Sequence, residues 1–287
     1  MGIVPSTPPS VTAPPRTKAE RRRGQSLLTA FLPNQALSPG ASRLLIAVEA
    51  TLLFLFWLRS PLKILPQPQE VVAALGRLWL NQGLGPELVT SFKLNVEALL
   101  ITIAISLALS YLTVLPLFRP VATAVSKGRF LSLVGFSLVF TLLTGGGHAL
   151  KLSLLVFAMT VFFVTSMASV VAAIPRSDFD HARTLRMSEW RVVWEVVVLG
   201  TADKAFEVMR QNAAIGWLML TMVEGIVRAE GGVGAMLLNE SKHFLLPEVF
   251  AVQTVILLVG LVQDYAIGAV RRLCCPYADL SLERKVG

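Results

Sequence analysis

Long stretches of this chain run without a charged residue, and they set the reading. Leu152–Ile174 is 23 residues with no Asp, Glu, Lys or Arg. Ala98–Leu115 is an 18-residue run of the same kind, preceded by Lys93 and Glu97 at a spacing that lets them pair on one helix face. Val249–Leu261 continues through Gln263 and Asp264 to Val270, and Gln211–Val227 is interrupted only by Glu224. Leu44–Leu58 contains Glu49 and is flanked by Arg43 and Arg59; Phe130–Leu143 is closed by Gly145, Gly146 and Gly147. A hydrocarbon layer of about 30 Å takes roughly 20 apolar residues at 1.5 Å each. The pattern predicts an all-α membrane protein with about six transmembrane helices over residues 41–275.

Composition agrees with that pattern. Hydrophobic residues make up 54% of the 287 and charged residues 15%, against roughly a quarter charged in soluble domains. Mean hydropathy is +0.65. The cysteines, Cys274 and Cys275, are adjacent, which excludes a disulfide framework and a four-cysteine metal site. The net charge of +8 is distributed by topology. Loops at 1–43, 116–129, 175–204 and 271–287 hold 18 Lys and Arg, and the alternate loops hold 6. Basic loops stay in the cytoplasm, so both termini are expected there, and no nucleic-acid partner is needed to account for the charge. Residues 1–40, with seven prolines and Arg21-Arg22-Arg23, read as a disordered cytoplasmic tail, and 276–287 as a second tail.

The segment after Ile174 is patterned beyond what a simple loop needs. Pro175 ends the preceding helix, and Ser177-Asp178-Phe179-Asp180 reads as a capping box. Phe179, Ala182, Leu185, Met187 and Trp190 supply an apolar face, predicting an amphipathic helix of about three turns near 178–190. The same pattern fits a helix lying on lipid.

Asp180-His181-Ala182-Arg183-Thr184-Leu185-Arg186, followed by Ser188-Glu189-Trp190, resembles the Glu-Ala-Ala loop of ABC importer permeases of the nitrate, sulfonate and taurine type. Leu65-Pro66-Gln67-Pro68-Gln69-Glu70-Val71 is similar to that branch's Leu-Pro-x-Pro-x-Glu-Val element. Trp217 and Glu224, Gly232-Val233-Gly234, Asp264 and the Gly147-to-Lys151 turn match in order and spacing. The resemblance implies a type I importer permease fold in the bacterial inner membrane. It implies a coupling helix bearing Asp180, Ala182, Arg183, Thr184, Leu185, Arg186 and Trp190, and pathway or gating residues Trp217, Glu224 and Asp264. The implied partners are ABC ATPase subunits that bind the ATP and Mg, a second permease subunit, and a periplasmic solute-binding protein, with a small anion as the solute.

The chain departs from the family at several positions. Asp180 and His181 stand for Glu-Ala, Arg186 for a glycine, and Val198-Leu199 for Leu-Pro, and the third span lacks paired prolines. Such a degenerate loop suits a heterodimer whose other subunit carries the intact one. It also suits a permease-derived scaffold that no longer transports. An ATP-independent carrier is disfavoured by the absence of an internal repeat. No phosphate-binding Gly-x-x-x-x-Gly-Lys-Ser/Thr motif occurs, and His148, His181 and His243 have no metal-ligand spacing. The expectation is a chain with no cofactor, no metal and no enzymatic activity of its own.

Overall fold

The computed structural model describes residues 39–59 and 65–276. The expected tails fall outside these residues, except for residues 39, 40 and 276. The chain divides into two units, residues 1–65 and 66–287.

In the first unit, helix α1 (Pro39–Leu58) opens on a proline, which costs nothing where a helix has no use for the N–H. Leu52, Leu53 and Phe56 are exposed on it, as suits lipid rather than water.

Among its described residues the second unit is built of helices, joined by short turns and with no strand. Its helices are α2 (Pro68–Asn81), α3 (Leu84–Leu112), α4 (Arg119–Lys127), α5 (Leu133–Thr144) and α6 (Gly147–Ala172). They continue with α7 (Arg176–Thr184), α8 (Glu189–Val192), α9 (Ala202–Ile226), α10 (Val233–Lys242) and α11 (Leu246–Cys274). Helices α1, α3, α6 and α11 are long and apolar enough to cross a membrane. The stretch from Pro116 to Thr144 would be a fifth span, bent by 115° between its two halves. Such helices mark a multi-pass α-helical membrane protein. Helix α9 has the length of a span at 25 residues, but Asp203, Lys204, Glu207, Arg210 and Glu224 interrupt its apolar surface.

Helix α3 buries a stripe of small polar residues, Ser91, Asn95, Thr102, Ser106 and Ser110, all 0% exposed. Small side chains let helix backbones approach closely where no hydrophobic effect drives association. Helices α3 and α9 both pack along α6, which meets them with Leu154, Met159, Phe163 and Met167, all fully buried. Helices α9 and α11 run antiparallel. Trp217 meets Gln263, Arg210 meets Asp264, and Glu207 meets Arg271. The bundle therefore has two distinct ends. One carries residues 173–201 and is called the loop end below; the other carries Gly145–Gly147 and Gly231–Gly234 and is called the glycine end.

Candidate functional site

At the loop end, Pro175 forces the residue before it out of helical conformation, and α6 stops at Ala172. Helix α7 then starts at Arg176 with Pro175 in the N-cap position. The expected cap, Ser177, lies inside the first turn, and its hydroxyl donates to Asp178 Oδ1 at 3.3 Å. The capping box does not form there, because the proline has already set the helix entry.

The expected three-turn helix is also divided. After Thr184 the chain closes with Arg186 N donating to Arg183 O at 2.9 Å and Met187 N donating to Ala182 O at 3.5 Å. These paired bonds define a Schellman ending, in which the residue just beyond the cap takes a left-handed backbone. That residue is Arg186, with φ of 56°. Glycine is the usual occupant because it has no Cβ to clash, so the arginine keeps the bend at an energetic cost.

The turn is clamped by charge. Arg183 donates Nε to Glu189 Oε1 at 3.0 Å and Nη2 to Glu189 Oε2 at 3.1 Å. Asp180 adds a contact at 3.5 Å. This fork-to-fork bonding holds the Glu189 carboxyl below the usual glutamate range and raises the Arg183 guanidinium further. Both side chains face solvent. Asp180, Thr184, Leu185, Arg186 and Trp190 are exposed, while Ala182 is buried against the bundle. Beneath α7 lies a crevice of about 400 Å³ lined by Asp178, His181, Glu195 and Lys204 among others.

Between the ends, Trp217 Nε1 donates to Gln263 Oε1 at 2.8 Å, and Asn95 Nδ2 donates to the same oxygen at 3.0 Å. This joins α3, α9 and α11 through one buried amide oxygen. Gly216 makes the approach possible, since a Cβ there would lie 2.9 Å from both Asn95 Oδ1 and Met159 Cε. Asp264, one residue further along, accepts from Arg210 Nε at 2.9 Å. Glu207 contacts Arg210 and Arg271, each at 3.6 Å. The charges of α9 and α11 thus neutralise one another along their shared seam.

At the glycine end Glu224 is 0% exposed. Its Oε1 accepts the Ser91 hydroxyl at 2.6 Å and its Oε2 accepts Gly234 N at 2.8 Å. Ser91 Oγ in turn accepts Val233 N at 2.9 Å, and Glu87 accepts Gly232 N. The N-terminal amides of a helix have no partner within it. Here three consecutive ones at the start of α10 are satisfied by side chains from α3 and α9, and the two carboxylates also suit the positive end of the helix dipole. Gly232 has φ of 103°, and a Cβ there would collide with the Glu224 carboxylate. Lys151, 2% exposed, donates to Gly231 O at 2.7 Å, tying α6 to the same turn.

The structure therefore separates the three pathway candidates. Trp217 and Asp264 share the α9–α11 seam, whereas Glu224 belongs to the glycine end. Lys93 was expected beside Glu97, but Glu97 instead meets His148 Nε2 at 3.0 Å. Ser91, Asn95 and Gln263 carry much of the polar geometry. Ser91 lies outside the apolar runs altogether, and the only signal for the other two was a polar side chain within or beside one. Among the described residues, no group of three or more His, Cys, Asp or Glu is placed to hold a metal ion. No family model matches the chain, and no curated protein matches it.

Proposed function

We propose that this chain is the permease subunit of an ATP-driven importer of the nitrate, sulfonate and taurine type, in the inner membrane of a bacterium with both termini cytoplasmic. On this reading the spans number six: α1, α3, the bent α4–α5 pair, α6, α9 and α11, in a type I arrangement. The observation that carries it is the exposed α7–α8 turn, a small pinned element between α6 and α9 at one end of the bundle.

Asp180, Arg183, Thr184, Leu185 and Arg186 then face a cleft of a separate ATPase subunit, which binds the ATP and Mg. The Arg183–Glu189 clamp makes the turn stiff, so force applied to it passes to α6 through Pro175 and to α9 through residues 193–201. The far end of α9 carries Glu224 and the glycine turn, so tilting α9 changes both ends of the bundle. A second permease subunit, identical or paralogous, completes the path, and a periplasmic binding protein delivers the solute.

Co-expression with an ATPase of this transporter class encoded by a neighbouring gene tests this. A complex should purify with the intact chain and be lost with Arg183→Glu or on deletion of 178–190, while the variants still insert in the membrane. Undiminished association of both variants would sink the proposal. Arg186 at a glycine position favours a second reading, a permease-derived scaffold in a heteromeric complex. Solute uptake that persists after deletion of this chain would select it.

A further inference from the structure

We propose that Trp190 and Trp194 anchor the loop end in the headgroup layer of the phospholipid bilayer, and that Trp190 does not contact the ATPase. Both indoles are unusually open, at 70% and 56% exposed. They lie four residues apart where α8 runs directly into the wide π-helical turn of Val193–Val198. At 3.6 residues per α-helical turn, or somewhat more in the wider turn, that spacing keeps them near one face.

The depth of that face is set by α3. Glu189, Trp190 and Val193 line a shallow crevice with Tyr111 and Leu112, which end α3, and with Val114 and Leu115 just after it. Lipid that covers the exposed Ile101, Ile105 and Leu112 of α3 is therefore continuous with the surface carrying Trp190. Indole rings favour this boundary because the ring is apolar and its N–H finds a partner in the wet layer. A cation suited to lipid phosphate stands between them: Arg191 is 66% exposed, with its nearest carboxylate, Glu195, at 3.9 Å. Arg119, also exposed, sits at the same edge and donates to Thr113 O. The segment after Pro175 thus has two faces, a charged one at 176–184 for water and an aromatic one at 190–199 for lipid. The headgroup placement does not depend on the transport reading; that Trp190 leaves the ATPase untouched rests on it.

The test uses the full chain, without an ATPase, in phosphatidylcholine–phosphatidylglycerol vesicles whose lipids are brominated either high or low on the acyl chain. Subtracting the emission of Trp190→Phe/Trp194→Phe from that of the parent isolates the two indoles. Both replacements are at exposed positions, and an unchanged far-ultraviolet circular dichroism spectrum checks the fold. Single replacements provide the same difference should the double variant fold poorly. The isolated emission should be quenched roughly twice as strongly by high as by low bromines, and weakly by iodide. Strong quenching by iodide with none by either bromolipid would overturn the proposal. A second arm adds an ATPase: protection from iodide that appears only then would also overturn the proposal, because it would make this face a protein contact.

Discussion

The Ser91 hydroxyl donates to Glu224 at 2.6 Å while its oxygen accepts the amide of Val233 at 2.9 Å. One small side chain on α3 therefore connects the buried carboxylate of α9 to the first turn of α10. The connection is directional, so each partner can be removed separately with a distinct result.

Removing the carboxylate strands two donors. Glu224→Ala leaves the Ser91 hydroxyl and the Gly234 amide without their acceptor inside the bundle, at a cost of about 2–3 kcal/mol. Glu224→Gln keeps the shape and one acceptor, and its loss should be smaller. Thermal unfolding in detergent, followed by circular dichroism, should rank the variants in that order.

The glycine turn predicts a contrast between two Gly→Ala replacements. At Gly232 a methyl meets the Glu224 carboxylate in a left-handed backbone, so the loss should be about 2 kcal/mol or more. At Gly135, inside α5 with no atom within 4 Å of a new Cβ, the same change should stabilise by about 0.5–1 kcal/mol. Similar effects at both sites would refute the cradle described for Glu224.

Arg186 occupies the left-handed position of a Schellman ending. Arg186→Gly should stabilise the α7–α8 turn by about 1 kcal/mol, the cost of holding an L-residue there. Slower amide exchange at Met187 and Arg186 is the measurement. If the importer reading holds, the variant should also bind the ATPase more tightly.

The Arg183–Glu189 clamp has a defined pH response. Arg183 holds the Glu189 carboxyl below its ordinary value, so the folded turn binds that proton less readily than the unfolded one. The clamp is therefore fully present above the usual glutamate range and is lost as pH falls through and below that range. Proteolytic nicking between 183 and 189 should rise on acidification, and Glu189→Gln should remove the pH dependence.

The amide junction at Gln263 predicts a polar defect. Gln263→Leu leaves Trp217 Nε1 and Asn95 Nδ2 unpaired, at a cost of about 1–3 kcal/mol. In a chain whose other four tryptophans are replaced by Phe, Trp217 emission should shift to the blue as its N–H loses a partner. An unshifted spectrum would show that the indole has another acceptor.

Much of this arrangement was legible in the order of residues alone. Uncharged runs of membrane length required helices, because backbone groups in lipid must bond within their own segment. Pro175 had to end α6, since its ring bars the preceding residue from the helix. Gly145, Gly146 and Gly147 had to end the run before them, because consecutive glycines favour a turn over a continued helix. What required tertiary structure was partner choice. Ser91 and Glu224 are 133 residues apart, and Asn95 and Gln263 are 168 apart. A periodic polar stripe announces that a helix face is buried, but it does not identify the facing helix or the register. Those depend on side-chain volumes across an interface, such as the space left by Gly216. The entry to α7 followed the same logic: Ser177 had the pattern of a cap, yet Pro175 had already fixed the backbone where the helix begins.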